Sequence, residues 1–520
     1  MKILLSDWMR KLDSDAIDRI GIPSTVLMEN AASGTAEFIK DQFPKTAYPD
    51  ILTVVGPGNN GGDGITVARK LFAAGYKVQI VCLTDPDKYK GDPLINFNII
   101  RNIGISFEYI TEISSFKNIL STYNGNNSLI VDAIFGTGLK RPVKDSYFAE
   151  VIDNINLSGI KVASVDLPSG ISEKFASSEG SNIAAEITST FQTLKISHLF
   201  PDTIEASGKI RIIDIGIPEM LLNKKDYYIE LITKNSVKPV FTTSHKGDHK
   251  GVYGHSLIIA GSDDKPGAAI MASISSLRSG AGLVTCASAL NDIEVIAGAN
   301  PEIMVLNDLT PEKLISKISG FSVVLAGPGM GINSYTKLVV TGLLKESKKP
   351  LVLDADALNI MEGDFAILKR KTDVPVILTP HPKEFSRISG YNISEIVEAP
   401  YKFARNFSME FNVYLILKGH RTVISTPDGK VFINQTGNSG MATAGSGDVL
   451  SGIISGLIAR NIHIIDMETI LKASVFIHGF AGDLAKENIG KVGMTATDIV
   501  KYLPEAIKRI DDFKTEFLFG

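Results

Sequence analysis

Cysteine is almost missing from this 520-residue chain, which has only Cys82 and Cys286. Two thiols cannot build a disulfide framework, and their spacing fits no metal motif. Each sits in an apolar run, VQIVCL and LVTCA, so both are expected to be buried and unreactive. There is no excess of positive charge: 53 Lys and Arg stand against 57 Asp and Glu, a net charge of -4. No global field therefore attracts nucleic acid. No apolar run approaches the ~20 residues that cross a bilayer. The start, MKILLSDWMRKLDSDAI, lacks the apolar core and small-residue cleavage site of a signal peptide. Low-complexity segments are absent too. A cytoplasmic enzyme without nucleic-acid or membrane partners is the expectation.

What is present is a repeated alternation of short apolar runs with helical-period segments, the pattern of βα units on a mostly parallel sheet. In the first half ILTVV (51–55), KVQIVCL (77–83), SLIVDA (128–133) and KVASVD (161–166) read as buried strands. GITVARKLFAAG (64–75) reads as a helix, and GKIRIIDIGIP (208–218) as a closing strand. A polar, lysine-rich stretch follows. The alternation then restarts with HSLIIAG (255–261), LVTCA (283–287), SVVLAG (322–327), PLVLDAD (350–356), VPVILTP (374–380) and VYLILKG (413–419). Helical stretches around 447–460, 466–486 and 496–511 end the chain. The expected layout is α/β throughout: one domain over 1–220, a connector over 221–240 and a second domain over 241–514.

The run VVGPGNNGGDGITVAR places a glycine-rich turn between a strand and a helix. Glycine lets the backbone approach a ligand, and a helix N-terminus offers unpaired N–H groups to an anion. The run is neither the dinucleotide fingerprint nor a P-loop, which would need a lysine. A plain strand–helix turn would explain the glycines but not Asn59, Asn60 and Asp63 together. DAIFGTGLKRP and SVDLPSG follow two further strands and point at the same sheet edge, where such folds bind ligands. Asp132 and Ser169 have an ordinary reading as turn or helix caps. Three polar loops at one edge favour a shared site.

GNNGGDG, DAIFGTGLKRP and VDLPSG, in that order, resemble the NAD(P)H-hydrate epimerase domain, a Rossmann-like three-layer fold, over about residues 1–218. The resemblance implies interconversion of the R and S hydrates of NADH and NADPH. It places Asn59, Asn60, Gly61, Gly62 and Asp63 around the hydrate, with Gly136, Thr137, Gly138, Leu139, Lys140, Arg141 and Pro142. Asp166 becomes the acid/base, and Asn60, Asp132 and Ser169 the ligands of potassium, all offering oxygen as a hard cation needs. Epimerisation requires the hydroxyl to leave and return or the ring to open and reclose, and one carboxylate suits either path.

In the second half, NSGMATAGSGDVLSGIISGLIA sets Gly445, Ser446, Gly447 and Asp448 at the start of an apolar helix. Small residues there let backbone N–H groups converge on phosphoryl oxygens. Asp448 reads either as a helix cap, worth ~1 kcal/mol, or as a base that takes a hydroxyl proton during phosphoryl transfer. KGHRT (418–422) follows a strand, as a nucleotide-contacting loop should. His381, in a TPHP turn, reads by itself as a polar loop residue. Asp354 and Asp356 read equally as helix caps or as help for magnesium. His245, His249 and His255 show no ligand geometry and read as part of a solvated loop.

This arrangement resembles ribokinase-like enzymes. The runs KGVYGHSLIIAGSDDKPGAAIMA, LAGPGMG, LVLDADALN, ILTPHPKEFSR, LKGHRT and NSGMATAGSGDVLSG are more closely similar to the NAD(P)H-hydrate dehydratase domain, over about 240–510. The resemblance implies contact of Lys418, Gly419, His420, Arg421, Thr422 and Gly447 with the nucleotide. Ala268, Gly329, His381 and Asp448 would face the hydrate, with Asp448 as the base. ADP with magnesium is implied by the fused form of prokaryotic members. The anion loop reads AGSGD where the family often has GGTGD, and neither change removes a backbone donor. The expected partners are therefore the hydrates NADHX and NADPHX, ADP, and further copies of this chain in a homo-oligomer. The competing readings are a ribokinase-like kinase of a small alcohol, and a ligand-binding module that has lost its chemistry.

Overall fold

The computed structural model describes residues 1–199, 201–242, 247–289, 294–307, 309–363, 365–369 and 374–512, with backbone only at Pro201 and Asp202. His245 lies outside the described residues. The chain divides into two compact units, Lys2–Tyr227 and Tyr228–Gly520 joined by Met1.

The first unit is built on a seven-stranded sheet. Its spatial order is Ser106–Tyr109, Lys77–Cys82, Asp50–Val55, Ser128–Ala133, Lys161–Val165, Ile187–Phe191 and Lys209–Ile213, and every neighbouring pair is parallel. Strands buried on both faces read as unbroken apolar runs, which is why four were visible in the sequence. Ile187–Phe191 was not, because its residues are ITSTF. All five are buried nonetheless, and Thr188 Oγ1 donates to the Ser207 carbonyl. The expected closing strand, Lys209–Ile213, pairs with this unanticipated one. The order runs outward in both directions from Asp50–Val55 and Ser128–Ala133. Their carboxyl ends therefore form the crevice where open parallel sheets bind ligands.

The second unit carries a ten-stranded sheet in the order Ile229–Leu231, Val431–Ile433, Val423–Ser425, Tyr414–Leu417, Val376–Leu378, Leu351–Leu353, Val323–Ala326, His255–Ile259, Leu283–Ala287 and Met304–Leu306. All pairs are parallel except those flanking Val423–Ser425. The strand order reverses between His255–Ile259 and Val323–Ala326. Residues 221–240, read from the sequence as a connector, hold ordered elements. Ile229 and Leu231 are buried and pair in register with Val431 and Ile433, and Val237 and Val240 join the second unit's core. Charged residues between these apolar positions masked the pattern.

Both cysteines are buried, and burial pushes each thiol up to about 12. His249 Nδ1 accepts the Gly251 N–H, and His255 bonds Thr285. Among the described residues no helix is long and apolar enough to cross a membrane.

Helix Ser446–Asn461 runs through the core of the second unit, with twelve of its residues buried. Two glycines let it lie against helix Pro266–Arg278: a Cβ on Gly452 would sit 2.2 Å from the Ala272 carbonyl oxygen, and one on Gly456 2.3 Å from that of Ser276. Alanine would gain ~1 kcal/mol of helix propensity, yet overpacking costs ~1–3 kcal/mol and the clash is with rigid backbone. Gly452→Ala is therefore expected to lower the thermal midpoint of the second unit, read by calorimetry, while an unchanged midpoint would show that the two helices can part without cost.

Candidate active sites

In the first unit the loops after Asp50–Val55 and Ser128–Ala133 press together. Gly56 N–H donates to Ala133, and a Cβ on Gly56 would lie 2.0 Å from the Ile134 carbonyl oxygen. Beyond them opens a cavity of about 720 Å³ lined by Asn59, Asn60, Asp63, Gly136, Thr137, Gly138, Leu139, Lys140, Arg141 and Asp166. Gly61, Gly62 and Pro142, expected beside the ligand, do not line it. Gly61 and Gly62 instead allow close packing: their Cβ positions lie 2.2 Å from the Gly56 carbonyl oxygen and 2.8 Å from Pro93.

Asp166 ends its strand in the left-handed region, at φ 67°, which Asp tolerates better than most residues. Its Oδ1 sits 2.6 Å from the Nζ of Lys195, a fully buried lysine. Lys195 also donates to Thr190 Oγ1 at 2.9 Å and to the Phe191 carbonyl at 2.8 Å. Sequence reasoning missed this lysine. The signal was a lone cation in the otherwise uncharged stretch TFQTLKISHLF. The N-terminal helix Ser6–Ser14 adds Met9, Arg10 and Asp13 to the same wall. Burial, reinforced by the charges of Asp166 and Asp13, holds the Asp63 carboxyl well above the usual range.

Asp132 lies deeper and fully buried. Its Oδ1 accepts from Ser169 Oγ and the Ile134 N–H, and its Oδ2 from Ser164 Oγ and the Ser169 N–H. Burial raises its carboxyl despite these donors. Both amide atoms of Asn60 are buried without a partner, and Gly136 leaves room beside them: a Cβ there would lie 3.0 Å from Asn60 Oδ1. An oxygen-only set with one carboxylate and an unsatisfied amide oxygen suits a hard monovalent cation.

In the second unit, helix Ser446–Asn461 starts after Gly445, at φ 87°. Its first amides lack intrahelical acceptors. They open onto a cavity of about 690 Å³ lined by His381, Lys418, Gly419, His420, Thr422, Asn434, Thr436, Asn438, Ser446, Gly447 and His478, among others. Arg421 is not in this wall; its Nε is buried without a partner. Lys418 Nζ donates to Asp354 Oδ1 at 2.9 Å. Burial opposes its charge, but Asp354 and Glu384 outweigh that and raise the ammonium above its ordinary value. A Cβ on Gly447 would lie 3.3 Å from Lys418 Nζ and 3.9 Å from Asp354 Oδ2, so cation, carboxylate and helix start converge. Burial lowers His478 to about 4, and its Nε2 lies 3.4 Å from Ser446 Oγ.

Asp448 sits in the first turn, half-buried. Burial lifts its carboxyl to about 6; Asp354 and Asp356 add to the rise, and Lys418 and Lys265 oppose it. Ala268 and Gly329 lie together at the strand-order reversal, where a Cβ on Gly329 (φ 65°) would be 2.9 Å from that of Ala268. Asp356 joins this side, accepting from Gly331 N–H and Lys265 Nζ. His381 lines the same cavity as Lys418 and Gly447. It caps helix Pro382–Ser389, its Nδ1 accepting from Lys383 and Glu384 N–H while Glu384 accepts the His381 N–H.

The NAD(P)H-hydrate dehydratase family matches residues 256–505, and the family described as YjeF-related protein N-terminus matches residues 24–197. The bifunctional NAD(P)H-hydrate repair enzyme Nnr of Moorella thermoacetica is 35% identical, over 98% of this chain and 98% of that protein. That of Thermofilum pendens is 33% identical, over 99% and 98%. A crystal structure of the ADP/ATP-dependent NAD(P)H-hydrate dehydratase of Bacillus subtilis, co-crystallised with ATP/Mg2+, is 30% identical. It covers 54% of this chain and 98% of that one, at a TM-score of 0.48. With relatives of this identity aligned along nearly its whole length, the chain belongs to the family of bifunctional NAD(P)H-hydrate repair enzymes.

Proposed function

We propose that this protein restores hydrated NADH and NADPH. The first unit interconverts the R and S hydrates, and the second dehydrates the S form at the expense of ADP. The observation that carries the reading is Asp448, in the first turn of a helix whose Gly447 lies beside the Lys418–Asp354 ion pair.

In the second unit Asp448 takes the proton of the ring hydroxyl as its oxygen attacks the terminal phosphorus of ADP, whose bridging phosphorus–oxygen bond breaks to release AMP. Helix amides and Lys418 hold the phosphoryl oxygens, and Lys418, Gly419, His420, Thr422 and Gly447 hold the nucleotide. The ring nitrogen's lone pair then expels phosphate, and loss of a neighbouring ring proton re-forms the dihydronicotinamide. Magnesium would arrive with the nucleotide's phosphates, with few protein ligands; Asp354 Oδ2 is the carboxylate oxygen turned toward Gly447. In the first unit Asp166 exchanges protons at the hydroxyl. Potassium held by Asn60, Asp132 and Ser169 would supply a fixed positive charge at the strand ends. The enzyme works in the cytoplasm, as a homo-oligomer.

Two substitutions separate the activities. Asp448→Asn should cut ADP-dependent recovery of NADH from its hydrate by ~10²–10⁴-fold and spare epimerisation. Asp166→Asn should do the reverse, leaving S-hydrate repair intact. Equal loss of both activities in either variant would sink the two-site reading.

The raised carboxyl of Asp448 also sets a pH dependence. Dehydration should decline as pH falls through about 6, because the protonated group is no base. For stability the sign is opposite. A carboxyl raised on folding favours the fold below its unfolded value, near 4, and loses that contribution as pH rises through about 6. Asp448→Asn should therefore raise the thermal midpoint at pH 8 and give no gain at pH 4. A midpoint that ignores pH would mean the carboxylate is not desolvated.

A further inference from the structure

The helix Ser6–Ser14 enters the first cavity from residues that precede the 24–197 family match. Two features fix it there. Ile3 and Leu4 pair in parallel with Leu194 and Lys195, and Glu173 accepts from both the N–H and the Oγ of Ser6. Asp13 is thereby set on the cavity wall with Asp63, Asp166 and Lys195. Its Oδ1 is buried and has no hydrogen-bond partner. Lys195 cannot supply one, because its three N–H groups already go to Asp166, Thr190 and the Phe191 carbonyl. Arg10, Lys140 and Arg141 also line the cavity, yet none donates to that oxygen. A buried carboxylate oxygen without a donor is costly, and a proton removes the cost.

We propose that Asp13 is the acid partner of Asp166: its carboxyl protonates the departing hydroxyl of the hydrate, and Asp166 receives the proton of the water that re-adds. This deepens, and rests on, the epimerase reading of the site. The ring carbon–oxygen bond breaks with its electron pair on oxygen, which takes the Asp13 proton and leaves as water. The ring nitrogen's lone pair closes a carbon–nitrogen double bond. A water oxygen then bonds the same carbon from the other face, the double-bond pair returns to nitrogen, and the surplus proton passes to Asp166. One proton has moved from Asp13 to Asp166, and exchange with solvent resets the pair. Burial is the main cause that lifts Asp13, to about 7; Lys195 pulls it down and Asp166 pushes it up. An acid serves best when it titrates near the working pH. Asp63 is likewise lifted by burial first and then by Asp166, Asp13 and Asp92, with Lys195 opposing.

The test is the rate of R-to-S exchange of NADHX by the full chain between pH 5 and 9, for wild type, Asp13→Asn and Asp13→Glu, with thermal midpoints alongside. The wild-type rate should fall as pH rises through about 7, as the acid is lost. Asp13→Asn should be slower by ~10²-fold or more and lack that alkaline limb, and Asp13→Glu should regain it. An Asn variant that keeps the limb overturns the proposal, whether its rate is normal or merely reduced by a weakened fold. A wild type without exchange overturns the epimerase reading itself, and this inference with it.

Discussion

Parallel strands that fan out from a reversal in their order leave a crevice at their carboxyl ends that no connecting segment covers. Both units are governed by this constraint. Asp50–Val55 and Ser128–Ala133 diverge in one, His255–Ile259 and Val323–Ala326 in the other. The segments that leave those strand ends gather the polar residues: Asn59, Asn60, Asp63, Gly136 to Arg141 and Asp166 line the first cavity, and Ala268, Gly329 and Asp356 lie together in the second unit. Glycine is needed where two such turns touch, as at Gly56 against Ile134, and polar residues are tolerated where they face open space.

Charge placement differentiates the two crevices. The first gathers three carboxyl groups around one lysine whose donors are used up. The second gathers Lys418, a helix N-terminus and the raised carboxyl of Asp448, charges that suit an anion beside a proton acceptor. The same architecture thus carries two differently charged sites, and the difference lies in loops rather than in sheets.

Much of this was legible in the chain itself. Strands buried on both faces, such as SLIVDA and PLVLDAD, announce themselves as unbroken apolar runs, and GNNGGDG and AGSGD mark turns into helices. Strands made of hydroxyl residues, such as ITSTF, or broken by charge, such as the one at Ile229–Leu231, do not. Their burial is stabilised by pairing with distant neighbours, which local pattern cannot register. Gly61 and Gly62 look like ligand contacts on paper and are packing contacts in space. His381, a polar loop residue on paper, caps a helix at the rim of the second cavity.

From the sequence alone came the α/β class, the two-part organisation and the candidate carboxylates Asp166 and Asp448, because periodicity and short motifs act over a few residues. Only the tertiary structure brought Lys195 to Asp166 and Asp13 to their side, across 29 residues in one case and from the far N-terminus in the other. A buried ion pair depends on which strands are adjacent and what water is excluded, and neither is written in any short stretch of chain.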